Sequence, residues 1–337
     1  MSASALILGC SGLTLTADEI SFFRDVQPWG FILFRRNCDS PEQIRALTAS
    51  LRDCVGRSDA PILIDQEGGR VQRLGPPHWL RYPAGRRFGH LYEQDQARAR
   101  RALHAVTRLI ADDLVSLGIN VDCLPVLDIP VPGAHDVIGD RAYGPEPNIV
   151  AVLGRVASEA LMAGGVLPVI KHIPGHGRAQ ADSHVALPVV DCPRADLEAA
   201  DFRPFAALAD MPMAMTAHVV YSAIDGSAPA TTSSKMIDLI RHEIGFDGLL
   251  MTDDLSMKAL DGHFGDRMRA SIAAGCDVGL HCNGDMAEMQ AVAAAAPRLA
   301  GDALRRAEAA LARLRKPEPF DRDEALALLR EVTPESV

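Results

Sequence analysis

Eight short apolar runs, at residues 5–9, 30–34, 61–64, 120–127, 166–171, 213–217, 248–252 and 277–281, recur along the chain. Most are apolar throughout rather than alternating, the pattern of parallel strands covered on both faces. The segments between them carry helix signals. Leu103, Val106, Ile110, Leu114 and Leu117 recur at steps of three and four, and Gly118 follows as a stop. The stretch 149–162 is helical and ends at Gly164-Gly165, 196–208 precedes the sixth run, and 234–244 closes at Gly245. An Ala-rich helical stretch over 286–314 ends the series. Pro317 and Pro319 break it before a last short helix near 323–330.

Eight strands alternating with helices predict an α/β protein, a single (β/α)8 TIM barrel. A doubly wound open sheet is the alternative. It would usually carry a Gly-rich dinucleotide turn after its first strand, and here that strand leads into Gly9-Cys10-Ser11-Gly12, without GxGxxG spacing. At 337 residues, the chain is read as one barrel domain spanning 1–337, with a helical tail from about 317 packed outside it. Charge narrows the partners. Thirty-four Lys and Arg against 44 Asp and Glu give a net charge of −10, which argues against a nucleic-acid binder. No apolar run approaches the ~20 residues of a membrane span, and the start lacks the basic and long apolar regions of a secretory signal. The seven cysteines, at 10, 38, 54, 123, 192, 276 and 282, are odd in number and show no CxxC pair. Reduced thiols in a cytoplasmic protein are expected.

In such barrels the chemistry sits at the C-terminal ends of the strands. The polar residues there are Asp65-Gln66-Glu67 after the third run, Asp128 and Arg141 after the fourth, and Lys171-His172 after the fifth. His218, Asp253-Asp254 and Cys282-Asn283 follow the last three. Any one of them could simply cap a helix, but a whole ring is harder to explain that way. After Lys171, the segment His172-Ile173-Pro174-Gly175-His176-Gly177 cannot be helical, so it is a loop, and loops at a barrel mouth can move over a substrate. Asp182 and His184 lie two apart. In extended chain their side chains share a face, where the carboxylate can orient the imidazole for proton transfer near neutral pH. A surface loop with solvated charges is the bland alternative. At Thr252-Asp253-Asp254 a regular strand turns only one carboxylate to the barrel axis, where it can act as a nucleophile. The other is free to cap a helix beginning near Ser256.

Together these motifs resemble glycoside hydrolase family 3, in its bacterial cytoplasmic single-domain β-N-acetylglucosaminidase branch. The matching stretches are Ile64-Asp65-Gln66-Glu67-Gly68-Gly69-Arg70-Val71-Gln72-Arg73, Ile138-Gly139-Asp140-Arg141-Ala142-Tyr143-Gly144 and Lys171-His172-Ile173-Pro174-Gly175-His176-Gly177. Asp182-Ser183-His184, Met215-Thr216-Ala217-His218-Val219-Val220-Tyr221 and Thr252-Asp253-Asp254-Leu255-Ser256-Met257 complete the set. The resemblance implies Asp253 as nucleophile and Asp182 with His184 as the acid/base dyad. It implies that Asp65, Arg73, Arg141, Lys171 and His172 hold the sugar in the −1 subsite. One departure is Arg178-Ala179-Gln180, more basic than expected there. The implied reaction is retaining hydrolysis of terminal β-linked N-acetylglucosamine, with no cofactor and no metal. The implied substrates are cell-wall fragments such as N-acetylglucosamine joined to 1,6-anhydro-N-acetylmuramoyl peptides, or a chitobiose-like glycoside, and the implied state is a monomer.

Other chemistries that the same barrel could carry are phosphorolysis of β-N-acetylglucosaminides, a metal-dependent amidohydrolase, a Schiff-base lyase using Lys171 and a non-catalytic sugar-binding barrel. The amidohydrolase normally needs an HxH pair at the first strand, where this chain has Gly9-Cys10-Ser11.

Overall fold

The computed structural model describes residues 3–181, 183 and 186–333. Eight parallel strands close into a barrel: β1 (Ser4–Leu8), β2 (Pro28–Leu33), β3 (Ile62–Ile64), β4 (Val121–Asp122), β5 (Leu167–Ile173), β6 (Met213–Thr216), β7 (Leu249–Asp254) and β8 (Val278–His281). Each pairs with its neighbours in chain order, and β8 returns to β1 with Leu6 opposite Gly279. Side chains of β1, β2 and β3 are buried along their whole length, which is why these strands read as unbroken apolar runs.

The helices are α1 (Ala17–Val26), α2 (Pro41–Val55), α3 (Gly85–Gln94), α4 (Gln96–Ser116), α5 (Pro147–Ala163) and α6 (Phe202–Ala207). They continue with α7 (Ser234–His242), α8 (Phe264–Ala274), α9 (Met286–Ala293), α10 (Gly301–Leu311) and α11 (Arg322–Val332). Local chemistry sets several starts. Thr16 and Glu19 form a reciprocal capping box on α1, Ser40 caps α2 ahead of Pro41, and Asp95 caps α4. Helix α11 packs on α4. Arg87 and Arg98 hold its C-terminal end through Val332 O and Glu331.

Three local features differ from expectation, each for an identifiable reason. The fourth run holds only two ladder residues, because Pro125 has no N–H to give. The run still tracks β5: Leu127 N donates to Lys171 O at 2.7 Å, and Lys171 N donates to Pro125 O at 3.1 Å. The Ala-rich stretch is two helices, α9 and α10. Between them Pro297 O accepts from Ala5 N and Leu299 N donates to Ala3 O, both at 2.9 Å, so the break braces the entry to β1. No helix starts at Ser256; the chain turns there, and α8 begins only after Gly262, whose φ is +85°.

One helical glycine has a measurable purpose. A Cβ on Gly89 of α3 would lie 1.6 Å from Tyr143 O. Helix propensity favours Ala over Gly by about 1 kcal/mol, whereas overpacking a fitted contact costs about 1–3 kcal/mol, so the clash decides the sign. Gly89→Ala is expected to lower the urea-unfolding midpoint. A raised midpoint would mean that α3 withdraws without loss.

Candidate active site

The C-terminal strand ends surround a cavity of about 440 Å³. Asp65, Arg73, Arg141, Lys171, His172 and Asp253 all line it, so six of the eight residues singled out from sequence share one cavity. The other two, Asp182 and His184, lie outside the described residues.

The wall begins where β3 ends. Asp65 and Glu67 are two apart in extended chain and face the same way. Between them the Gln66 side chain turns inward, its Oε1 accepting from Arg73 N and Leu74 N, both at 3.0 Å. This fixes a small hairpin, Gln66–Gly68 against Val71–Gln72, and carries Arg73 back over Asp65. Lys171 of β5, only 2% exposed, places its Nζ 2.8 Å from Asp65 Oδ1 and 2.7 Å from Glu67 Oε1. Arg73 donates to Asp65 Oδ2 at 2.8 Å. Arg141 grips Glu67 with two parallel bonds of 2.8 Å. Burial by itself would raise the pKa of both carboxyls. Lys171 with Arg73 outweighs it at Asp65, and Lys171 with Arg141 outweighs it at Glu67, so both stay ionised. Burial likewise would strip the Lys171 proton, but Asp65 and Glu67 push its pKa above that of an ordinary lysine. An ammonium held that way is a poor Schiff-base nucleophile.

Glu67 was not among the residues assigned a binding role from sequence. Its signal was the alternation Asp65-Gln66-Glu67, which puts two carboxylates on one face; the cations it would meet come from β5 and from the turn at Gly139–Arg141.

His172 follows Lys171 directly, yet both line the cavity. The β5–β6 register shifts between Lys171 and Ile173, which breaks the alternation there. Beneath His172 lies Asp128, fully buried. Its Oδ2 is 2.7 Å from His172 Nδ1, and its Oδ1 accepts from His172 N at 3.1 Å and His176 N at 2.6 Å. Burial would raise this carboxyl too, but His172 and its hydrogen bond hold it at about 2.

The neck of the loop beyond is packed rather than free. A Cβ on Gly177 would fall 1.9 Å from Ile129 O, so this glycine serves close approach and not a hinge. Tyr221 Oη donates to Gly175 O at 2.5 Å. The unexpected Arg178 donates to Asp201 Oδ2 at 2.6 Å, and Asp201, pushed up to about 6 by burial against Arg178's pull, is itself buried. His176 Nε2 lies 3.2 Å from Ser183 Oγ.

Across the cavity, Asp253 and Asp254 both line the wall, contrary to the regular-strand expectation. The β7–β8 register shifts between Met251 and Asp254. The two make different hydrogen bonds. Asp254 accepts from Ser256 N at 2.9 Å, Ser256 Oγ at 2.6 Å and Cys282 N at 3.1 Å, so it caps a turn and not a helix. Asp253 Oδ1 accepts from Asp254 N at 2.8 Å, while Asp253 N donates to Thr216 Oγ1 at 3.3 Å. His218 is fully buried, between Thr231 Oγ1 at 2.7 Å and Asp254 O at 3.0 Å, and does not line the cavity.

A closed parallel barrel whose strand ends enclose ionised carboxylates, guanidinium groups and an ammonium has the architecture of a (β/α)8 enzyme. Residues 15–315 match the glycosyl hydrolase family 3 N-terminal domain. A β-hexosaminidase of Alkalilimnicola ehrlichii is 40% identical over 288 residues, covering 84% of this chain and 82% of that protein. One of Pseudomonas aeruginosa is 36% identical over 298 residues, covering 88% and 87%. Native NagZ from Neisseria gonorrhoeae superposes with a TM-score of 0.85 at 32% identity, over 98% of this chain and 94% of that one. It has the same figures in its complex with N-trifluoroacetyl-D-glucosamine. The chain belongs to glycosyl hydrolase family 3 and is a glycosidase.

The buried imidazole of His176 gives a test of this wall. Burial, then the neighbouring His172, pushes its pKa down to about 4. An unfolded histidine titrates near 6.5, so between these values the unfolded chain binds more protons. The stability this group contributes is therefore full above about 6.5 and falls as pH drops toward 4. From pH 7.5 to 5 the loss is about 2 kcal/mol. His176→Gln should flatten the pH dependence of the urea-unfolding free energy by about that amount. An unchanged slope would show that His176 is not held neutral.

Proposed function

We propose that this chain is a retaining exo-β-N-acetylglucosaminidase. On this reading it releases terminal N-acetylglucosamine from peptidoglycan-derived muropeptides of the N-acetylglucosamine–1,6-anhydro-N-acetylmuramic acid type. Residues 1–337 would act as one catalytic barrel, as a monomer in the cytoplasm, in cell-wall recycling. The observation that carries the reading is the opposition, in one cavity, of Asp253 to the Asp65–Lys171–Arg73 lattice. The N-acyl glucosamine bound by the gonococcal relative supports an N-acetylhexosamine in that cavity. Seven free cysteines, six of them buried, agree with a reducing compartment. Among the described residues no helix is long and apolar enough to cross a membrane.

In this mechanism Asp65, Arg73, Arg141, Lys171 and His172 hold the sugar, with carboxylates accepting from hydroxyls and cations donating to hydroxyls and the acetamido carbonyl. Asp253 attacks the anomeric carbon while His184, oriented by Asp182, protonates the departing glycosidic oxygen. The bond to the aglycone breaks as the bond to Asp253 forms. His184 then takes a proton from water, which attacks the same carbon and frees Asp253 with net retention.

Two measurements test this. A fluorinated N-acetylglucosaminide should label Asp253, and Asp253→Asn should remain folded and lose turnover; label on Asp254 overturns the assignment. His184→Ala should lose about 10²–10⁴-fold in kcat/KM on substrates with poor leaving groups and far less on activated aryl glycosides. An equal loss on both would remove His184 as the acid. Running the wild-type reaction with and without inorganic phosphate separates hydrolysis, which gives the free sugar in both, from phosphorolysis, which gives the sugar phosphate.

A further inference from the structure

Most of the groups that converge on this cavity with a hydrogen to give are fixed donors: Lys171, Arg73 and Arg141 carry no acceptor. His172 is different, because a neutral imidazole donates at one nitrogen and accepts at the other. Which nitrogen does which is decided below the cavity floor. The Asp128 carboxylate is fully buried and has no proton to offer. It meets His172 Nδ1 at 2.7 Å, so Nδ1 must carry the hydrogen. Asp128 is locked in turn, since its other oxygen accepts from the backbone N–H groups of His172 and His176.

We propose that Asp128 is a positioning residue that sets the tautomer of His172, making Nε2 the acceptor for a sugar hydroxyl hydrogen. Asp128 touches no substrate and acts only through the ring. The assignment of the hydroxyl rests on the N-acetylglucosaminidase reading above; the tautomer does not.

Asp128→Asn separates charge and tautomer from shape. Only the amide oxygen can face the two backbone N–H groups, because the reverse orientation sets donor against donor twice. The amide NH2 therefore faces His172 Nδ1, and the neutral ring must move its hydrogen to Nε2. An acceptor toward the sugar becomes a donor.

The test is nitrogen-15 NMR of histidine-labelled protein at about pH 8, where an ordinary imidazole is neutral, with His172 assigned by its absence in His172→Gln. Wild type should show a protonated Nδ1 and an unprotonated Nε2, and Asp128→Asn the reverse. Its kcat/KM on an N-acetylglucosaminide should fall on the order of 10–100-fold, with weaker binding of free N-acetylglucosamine as part of that loss. A wild-type spectrum with a hydrogen on Nε2, alone or with Nδ1 also protonated, overturns the proposal, and needs no variant to fold. A reversed tautomer with unchanged sugar binding overturns the acceptor role. If the wild-type protein cleaves no N-acetylglucosaminide but carries the His172 hydrogen on Nδ1, the N-acetylglucosaminidase reading fails and the positioning role of Asp128 stands.

Discussion

The Lys171 ammonium, buried between Asp65 and Glu67 at 2.8 and 2.7 Å, is the contact on which the rest of the site hangs. Removing one partner of such a buried set strands a charge and costs about 3–5 kcal/mol. Its consequence here is geometric. Lys171 comes from β5, the two carboxylates follow β3, and Arg141 comes from the turn after β4. Arg73 arrives through the hairpin that Gln66 fixes. The ammonium thus ties the end of β5 to that of β3, and Arg141 brings the segment after β4 to the same Glu67 carboxylate.

The loop after β5 inherits this rigidity through a second buried carboxylate. Asp128 ties the backbone of His172 and His176, Tyr221 holds Gly175, and Asp201 holds Arg178. The glycines, which in the sequence suggest motion, let the chain pass within contact of Ile129 and Asp201. The basic Arg178, out of place as a loop residue, is a counter-ion to a buried aspartate. The chain therefore leaves the barrel wall along a fixed course as far as residue 179.

Much of this was legible in the sequence, and what was not has a common cause. The eight strands are local patterns, so a run such as 166–171 announces itself, and the polar residues that end each strand follow from the barrel. Pairings between distant segments leave no local trace. Glu67 and Lys171 are 104 positions apart, and nothing near either one says that they meet. The placement of His172 beside Lys171, and of Asp253 beside Asp254, depends on register shifts that strand alternation does not anticipate. The Ala-rich run reads as one helical stretch, although Pro297 lies within it. The meaning of the break there, a brace for β1, is a contact across nearly the whole chain.

Counting hydrogens shows how the wall divides its labour. Arg141 donates from Nε and one terminal nitrogen to Glu67 and from the other to Val137 O, which uses three of its five hydrogens and leaves two. Asp254 accepts from Ser256 and Cys282 and frames the cavity. Lys171 has three hydrogens, and Asp65 with Glu67 accept two, so one remains for an acceptor that enters from the cavity. Each Asp65 oxygen accepts one bond and has a further lone pair. Unused donors and acceptors thus lie side by side on the wall of a space of about 440 Å³. A group that both gives and takes a hydrogen fits that pairing, and a ring carrying several hydroxyls is such a group, whereas a purely anionic ligand would leave the acceptors unmatched.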